Sequence, residues 1–320
     1  MKLQTIAITL AGIVLIGATA LGLAVWLGGP APIAALPSIN NPFKGVDYST
    51  LPGVQHYPAR DGATLAYRHY APTSADAGRR IVLIHGSSAS SRSMHALAQA
   101  LAAAGYTVDA LDVRGHGESG PHGQIAYIGQ LEDDLADFMR GAPFQGPSTL
   151  VGFSSGGGFA LRFAASSHAA LFDHYVLLSP FLLRAPTNRP ANADWASVGI
   201  PRIVASMLLN KIGIAAFNHL TTLQFALNDE AKKFLTPSYS YALGSNFGTH
   251  LDYAQDIERA PNALKVVTGA NDELMFPQRY AEVFSRAGKT VPVTIVPGAG
   301  HMGITLNPVA LQAIVAASKA

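Results

Sequence analysis

The chain begins with a long run of apolar residues. No charged side chain occurs in residues 3–43, and residues 6–27 are apolar almost throughout. As a helix, such a run of about 22 residues is long enough to cross the ~30 Å hydrocarbon layer of a membrane. A cleavable signal peptide has a shorter apolar stretch, about 7–15 residues. We therefore predict an uncleaved transmembrane anchor over residues 1–28.

Two further features bear on the fate of this segment. Ala18-Thr19-Ala20 resembles a cleavage site, although it lies inside the apolar run, so export after removal of a signal peptide is the alternative. Lys2 precedes the run, and no basic residue follows it until Lys44. The positive-inside bias then predicts a cytoplasmic N-terminus with the remaining chain outside, in the periplasm if the membrane is a bacterial inner membrane.

The pattern changes after the apolar run. Residues 29–51 are rich in Pro, Ala and Asn, and we predict that they form a linker. Two stretches with strand character, Val54–Pro58 and Thr64–Tyr70, then flank Asp61 and Gly62. An Asp-Gly pair between two such stretches is a hairpin signal, so the folded part is predicted to begin with a β-hairpin.

From there, short apolar strands alternate with helical patterns of about ten residues. Such alternation is typical of a parallel sheet covered by helices on both faces. We predict an α/β fold with a doubly wound, mostly parallel sheet, formed by residues 52–181 and 252–320. The predicted strands are residues 81–84, 108–111, 150–151, 176–178, 264–267 and 293–296, and the predicted helices are residues 94–103, 131–139, 159–165, 280–284 and 309–317.

Residues 182–251 interrupt the alternation and are too long for an ordinary connection. Their apolar residues recur in patches with helical spacing, separated by Pro190, Pro201 and Pro237. We predict an inserted helical cap over the ends of the strands. The patches are Ile203, Val204, Met207 and Leu208; Ile212, Ile214 and Phe217; and Leu220, Leu223 and Phe225.

Composition excludes several classes of function. The net charge is +2, and the 22 Lys and Arg residues are scattered along the chain, so no nucleic-acid-binding surface is predicted. The chain has no cysteine, which excludes a thiol nucleophile and a thiolate metal site. Because no sequence spacing typical of a metal site occurs either, we predict no metal.

The candidate chemistry begins at Ser154. It is the middle residue of Gly-Phe-Ser-Ser-Gly, residues 152–156, between a predicted strand and a predicted helix. In that context the pattern is typical of a nucleophile elbow, a strained turn that presents a serine hydroxyl. The flanking glycines leave room for the helix to start close to the end of the strand.

A serine hydroxyl becomes a nucleophile when a base takes its proton and an acid orients that base. Asp272 lies in the turn after the strand at 264–267, and His301 lies on a glycine-rich loop after the strand at 293–296. Both should therefore reach the edge of the sheet that carries Ser154, in the chain order Ser, Asp, His. Glu273 is an alternative acid, and the turn position favours Asp272.

The tetrahedral intermediate of acyl transfer needs amide donors for its negative oxygen. We predict that the peptide N–H of Ser155, at the start of the helix, is one donor. The second should come from the turn after the strand at 81–84, and we assign it to the N–H of Ser87.

These segments resemble the α/β-hydrolase superfamily, in particular its monoglyceride-lipase and lysophospholipase-like branch. The resemblance covers about residues 52–320. It implies a serine hydrolase that acts on carboxylic esters without a cofactor, a cap that shapes the acyl pocket, and structural roles for His85 and His116. The segments that carry it are Val-Leu-Ile-His-Gly at 82–86, Asp-Val-Arg-Gly-His-Gly-Glu-Ser at 112–119, the pentapeptide at 152–156, and Gly-Ala-Asn-Asp at 269–272 with Gly-His at 300–301.

An apolar cap beside a membrane anchor favours lipid-like substrates, such as esters of acylglycerols or lysophospholipids. The same three side chains could instead serve a thioesterase, a C–C hydrolase, an aminopeptidase or a metal-free haloperoxidase, because fold does not fix function. A protein that binds a hydrophobic ligand without catalysis is a further alternative, although the presence of all three side chains argues against it.

Overall fold

A long apolar helix precedes the folded domain in the computed structural model, which describes residues 2–36, 43–190 and 195–319. This helix, α1, covers Lys2–Leu27. Its part from Thr9 to Leu27 is long and apolar enough to cross a membrane, and only 6% of that part is buried in the protein. The apolar run is therefore a helix whose sides are largely exposed.

In chain order the strands of the described residues are β1 Val54–Pro58, β2 Thr64–Tyr70, β3 Arg80–Ile84, β4 Thr107–Leu111, β5 Ser148–Phe153, β6 His174–Leu178, β7 Ala196–Val198, β8 Thr221–Phe225, β9 Ser238–Ser240, β10 Leu264–Gly269 and β11 Val293–Val296. Eight of them form a mixed sheet in the order β1-β2-β4-β3-β5-β6-β10-β11. β1 and β2 form the predicted hairpin, and β2 pairs antiparallel with β4. The remaining strands of this sheet pair parallel, which confirms the predicted sheet.

Helices cover both faces of this sheet. Successive strand residues point to opposite faces, so Val82 belongs to one hydrophobic core and Leu83 to the other. After α1, the helices of the described residues are α2 His95–Ala103, α3 Gln130–Gly141, α4 Ser155–Ala164, α5 Ile200–Lys211, α6 Tyr241–Asn246, α7 Tyr253–Arg259, α8 Tyr280–Arg286 and α9 Pro308–Ser318. α2 and α9 pack on the Leu83 side, and α3, α4, α7 and α8 pack on the Val82 side.

The cap segment contains α5 and α6, and it also contains a small antiparallel sheet of β7, β8 and β9. The helical spacing predicted at Ile214, Phe217 and Leu220 and at Leu223 and Phe225 is therefore wrong, because the first three residues lie outside any helix and the last two lie in β8. β8 starts with two threonines, and β-branched residues favour strands. Cross-strand contacts stabilise it, because Leu223 pairs with Tyr239 of β9 and the Phe225 ring packs 4.9 Å from the Tyr239 ring.

The segment predicted as a linker, residues 29–51, contacts the folded domain where the structure describes it. Its residues 37–42 lie outside the described residues. The backbone N–H of Leu36 donates to the carbonyl of Ala226 in the cap, at 2.8 Å. The Tyr48 ring stacks against His95 of α2, with the Arg92 guanidinium 3.7 Å from its centre. Apolar and aromatic residues within this Pro- and Ala-rich stretch supply these contacts.

Candidate active site

Ser154 lies in a strained turn between β5 and α4. Its backbone has φ 54° and ψ −116°. A positive φ is unfavourable for a residue with a Cβ atom, so surrounding bonds must hold it. The Ser154 N–H donates to the carbonyl of Leu178 at 2.9 Å, and the Ser154 carbonyl accepts from Gly158 at 3.0 Å. This is the geometry predicted for the pentapeptide.

The glycines of the pentapeptide are required by close approach of the backbone. A Cβ atom at Gly152 would lie 2.1 Å from the carbonyl oxygen of Gly156. A Cβ atom at Gly156 would lie 2.2 Å from the carbonyl oxygen of His85. Both separations are far inside van der Waals contact, so only glycine lets α4 start this close to the ends of β3 and β5.

The structure brings Ser154, His301 and Asp272 together in one line of hydrogen bonds. His301 Nε2 is 2.9 Å from Ser154 Oγ. His301 Nδ1 is 3.0 Å and 3.1 Å from the two carboxylate oxygens of Asp272. The side chains come from the carboxyl ends of β5, β10 and β11, three parallel strands whose ends share one edge of the sheet.

The surroundings of Asp272 keep its carboxylate charged. Burial acts to raise its pKa, but the hydrogen bonds that it accepts from His301, the Ser179 hydroxyl and the Leu274 N–H together outweigh burial and hold the pKa below its ordinary value. The backbone N–H groups of Leu274 and Met275 also donate to Asp272 Oδ1, at 2.9 and 2.8 Å. An ionised carboxylate can only accept, so His301 Nδ1 carries the hydrogen and Nε2 is left to accept from Ser154.

Glu273, the alternative acid, occupies a different position. Its Oε2 accepts a hydrogen bond from the backbone N–H of His301 at 2.8 Å. Glu273 thus binds the main chain of the His301 loop, while Asp272 binds the imidazole.

The two residues predicted to supply amide donors are neighbours. The hydroxyl groups of Ser87 and Ser155 are hydrogen-bonded to each other. A Cβ atom at Gly86 would lie 3.5 Å from the Cβ of Ser154, so the turn at 86–88 runs beside the serine. Within residues 43–190 and 195–319, neither the Ser87 nor the Ser155 amide has a hydrogen-bond acceptor. Both amides are therefore available to a bound group.

Ser154 and His301 line a cleft of about 720 Å³ between the core and the cap. Most of its lining is apolar or aromatic, and part comes from the segment before β1. Its charged lining residues are Lys44, Arg92, Glu230 and Glu273. Among the described residues, no cluster of three or more His, Asp or Glu side chains could hold a metal ion. The larger apolar lining residues are Leu36, Phe43, Tyr48, Phe153, Trp195, Leu227, Phe234, Leu235, Leu274 and Met302.

Comparison with known proteins identifies the family of the chain. Residues 75–305 fit the family described as serine aminopeptidase, S33. The chain belongs to the S33 family. It is a serine hydrolase of the α/β-hydrolase fold.

Individual relatives of this S33 hydrolase are distant. The chain is 30% identical over 166 residues to the putative protein-lysine deacylase ABHD14B of Pongo abelii, covering 51% of this chain and 76% of that protein. It is 29% identical over 161 residues to the uncharacterized protein YnbC of Escherichia coli, covering 47% of this chain but only 27% of YnbC. A solved monoglyceride lipase from Saccharomyces cerevisiae superposes with a TM-score of 0.59 at 18% identity, over 89% of this chain and 96% of the lipase.

In this S33 hydrolase, His85 and His116 are buried behind the turn at 86–88. His85 Nδ1 donates to the carbonyl of Gly86 at 2.8 Å, and its Nε2 accepts from the N–H of Val113 at 3.2 Å. Burial lowers the pKa of His85, and it lowers the pKa of His116 further. Both imidazoles are therefore neutral and positioned by main-chain bonds, as the resemblance implied.

Sequence reasoning missed the cap residues that hold the turn at 86–88. Ser88 has φ 65°, and its Oγ donates to the carbonyl of Thr236 at 2.6 Å. The Thr236 N–H donates to the carbonyl of Ser88 at 2.7 Å. The Ser88 N–H donates to the hydroxyl of Tyr239, which also bonds His116 Nε2 at 2.6 Å. The cap thus binds every polar group of Ser88.

Proposed function

We propose that the protein is a membrane-anchored serine hydrolase that cleaves carboxylic esters of lipid-like alcohols, such as acylglycerols or lysophospholipids. The observation that carries this proposal is the hydrogen-bonded line Ser154–His301–Asp272 at the base of an apolar cleft. The family supports a hydrolase, and the lining of the cleft supports an acyl chain as the bound group.

In the first half of the reaction, Ser154 Oγ attacks the ester carbonyl carbon while its proton passes to His301 Nε2. The carbonyl oxygen becomes negative and accepts hydrogen bonds from the N–H groups of Ser87 and Ser155. Asp272 holds the imidazole in position and stabilises its positive charge. The intermediate then expels the alcohol, which takes the proton from His301 Nε2, and an acyl ester on Ser154 remains.

In the second half, a water molecule replaces the alcohol. His301 takes a proton from the water as it attacks the acyl carbon, and the same amides hold the negative oxygen. The bond to Ser154 Oγ breaks, the proton returns to Ser154, and the fatty acid leaves. Because every proton moves between the substrate, water and this chain, the cycle needs no cofactor.

We further propose that α1 is retained as an anchor and that the hydrolase domain lies outside the cytoplasm. Support comes from the length and exposure of the apolar helix and from Lys2 on its N-terminal side. Removal of α1 as a signal is the alternative. Mass spectrometry of the purified membrane fraction tests this: an intact α1 supports the anchor, and an N-terminus at residue 21 or beyond contradicts it.

Removal of acyl groups from lysine side chains is a second candidate, favoured by the 30% identity to the putative deacylase. The acyl chain would occupy the same cleft, and the leaving group would be an amine instead of an alcohol. Hydrolysis of a monoacylglycerol, a lysophosphatidylcholine and an acyl-lysine peptide of equal acyl length separates the two candidates. Ester cleavage far above amide cleavage supports the lipid proposal, and the reverse order contradicts it.

The assignment of Ser154 is tested by labelling with a fluorophosphonate probe and by hydrolysis of p-nitrophenyl esters. Ser154→Ala should lose labelling and at least about 10³-fold in turnover, with an unchanged fold. Ser166→Ala is the matched control, because Ser166 follows the far end of α4, where its hydroxyl donates to the Phe163 carbonyl and accepts from the His168 N–H. Wild-type turnover in Ser154→Ala, or faster cleavage of acetyl than octanoyl esters, would contradict the proposal.

A further inference from the structure

One face of the cap helix α5 carries exposed apolar side chains at Ile200, Val204 and Leu208. Ile212, the residue that follows the helix, is exposed as well, and these four residues are hereafter the α5 stripe. Their exposed fractions are 59%, 42%, 45% and 71%. Positions four apart lie on the same side of a helix, so these side chains form one continuous strip. A helix on a water-facing surface normally carries polar residues there, so the strip needs a partner.

The α5 stripe is separate from the packed side of the same helix. Ala205 and Leu209 are buried, and they form a small hydrophobic cluster with Val25 of α1. Leu21 and Ala24 of α1 pack against that cluster. The anchor helix and the rest of the cap therefore already occupy the inner side of α5, and the α5 stripe lies outside that contact.

Arg202, in the first turn of α5, binds the end of α1. Its guanidinium donates to the carbonyls of Val25 at 2.7 Å and Trp26 at 3.0 Å, and its backbone N–H donates to the carbonyl of Gly28 at 3.1 Å. Gly28 allows this approach, because a Cβ atom there would lie 2.7 Å from the Cβ of Pro201. These bonds fix the start of α5 at the end of α1.

That position places α5 where the anchor would leave the bilayer. Trp26 is 63% exposed at this end of α1, and tryptophan is enriched at membrane–water interfaces. Ile214, 41% exposed, lies just beyond the α5 stripe, and the exposed Lys211 stands at the end of α5, where a cation can meet lipid phosphates. Apolar, aromatic and cationic groups thus occur together along α5 and at the adjacent end of α1.

We propose that the α5 stripe inserts into the lipid surface from which α1 emerges, so that the cap lies in the membrane interface. The proposal rests on the proposed membrane anchoring of α1. It assigns a second membrane contact, through the cap, to a domain that would otherwise be tethered only at its N-terminus. In this arrangement the acyl cleft under the cap stays close to the layer that holds lipid-like esters.

The absence of cysteine from the chain makes single-site labelling direct. Leu208→Cys and Val204→Cys in the full chain are labelled with an environment-sensitive NBD fluorophore. The protein is reconstituted in phosphatidylcholine–phosphatidylglycerol vesicles with brominated acyl chains, which quench fluorophores inside the lipid. Ile16→Cys reports on α1. Val309→Cys is the matched control, being 55% exposed on α9, which packs against α2 and β10.

Labels on the α5 stripe should lose about half of their emission, as expected for a group ~5–10 Å below the headgroups, and the Val309 label should keep its emission. Quenching at residue 16 without quenching at 204 and 208 would overturn the stripe proposal and leave the anchor intact. Lack of quenching at residue 16 would overturn both. A blue-shifted but unquenched label at 208, with disulfide cross-linking between copies, would show a second protein molecule on the α5 stripe and would also overturn the proposal.

Discussion

At the residue scale, the site depends on which nitrogen of His301 carries the hydrogen. The Nδ1 hydrogen faces a carboxylate that can only accept, so Nε2 keeps its lone pair toward the Ser154 hydroxyl. The lowered pKa of Asp272 keeps that carboxylate ionised at neutral pH. A group of the same shape that donates a hydrogen bond should therefore reverse the tautomer without disturbing the fold.

Asp272→Asn makes that change. Its amide can donate to Nδ1, which leaves the hydrogen on Nε2 pointing at Ser154, so kcat for p-nitrophenyl esters should fall by about 10³–10⁴-fold. Glu273→Gln is the control, because its amide oxygen can still accept from the His301 N–H, and kcat should change by no more than a few-fold. Nearly equal losses in the two variants would contradict the assigned roles.

A second prediction at this scale concerns the crowding around the elbow. Gly156→Ala would place a Cβ atom 2.2 Å from the His85 carbonyl oxygen and 2.8 Å from that of Ile84, both rigid backbone atoms. The start of α4 must move, so kcat should fall by about 10²-fold. Gly244→Ala in α6, whose nearest neighbour would be 3.7 Å away, should leave kcat unchanged. Activity of the two purified variants on one soluble ester provides the measurement.

At the element scale, the cap does more than cover the cleft. β9, Ser238–Ser240, carries Tyr239, whose hydroxyl accepts from the Ser88 N–H and bonds His116 Nε2. His116 Nδ1 faces the carbonyls of Val113 and Arg114 and therefore carries the hydrogen, so Nε2 accepts from the Tyr239 hydroxyl while the hydroxyl oxygen accepts from Ser88. The turn that carries the Ser87 amide is thus held by a cap strand.

Tyr239→Phe removes that hydroxyl and keeps the ring that packs against Phe225 and Phe247. The turn at 86–88 should shift, so kcat should fall by about 10- to 100-fold while KM changes less than two-fold, because we propose that the Ser87 amide binds the negative oxygen of the intermediate. Tyr67→Phe, which removes a hydroxyl bonded to Gln55 on the first hairpin, should keep wild-type values. A rise in KM at constant kcat would instead point to a packing role in the cleft.

The sequence was informative where a local pattern specifies an element. Apolar runs identified the parallel strands, and Ser154, Asp272 and His301 followed from where those strands end. β7 and β9 have only three residues each, too few to show an alternating pattern. The hydrogen bond between Ser88 and Tyr239 joins residues 151 positions apart. Its donor, Ser88, has a positive φ that no motif in the neighbouring sequence requires. Such contacts arise only when the cap folds over the core.

At the scale of the whole molecule, contacts run without a break from α1 to the candidate active site. α1 is bonded to α5 through Arg202, the cap holds Ser88 through Tyr239, and the turn rests on His85. Behind that turn, the rings of His85 and His116 pack 4.8 Å apart, fully buried. The junction between cap and core therefore contains two imidazoles that must stay neutral.

This junction makes the free energy of unfolding depend on pH. The folded pKa values of His85 and His116 lie below the ordinary value of about 6.5, so below that pH the unfolded chain binds protons that the folded chain excludes. The contribution of the two neutral histidines to stability should be fully present above about pH 6.5 and should fall as the pH drops, by up to about 1.4 kcal/mol per pH unit for each histidine.

Urea unfolding in detergent between pH 7.5 and 5.5 measures the slope of the unfolding free energy against pH. His116→Gln should reduce the slope of the unfolding free energy against pH by up to about 1.4 kcal/mol per pH unit, the contribution of one histidine. Phe247→Leu is the control, because it loosens packing against the His116 ring without removing a titrating group, so it should lower stability equally at every pH. Equal slopes in wild type and His116→Gln would show that His116 is already protonated in the folded protein, contrary to its buried position.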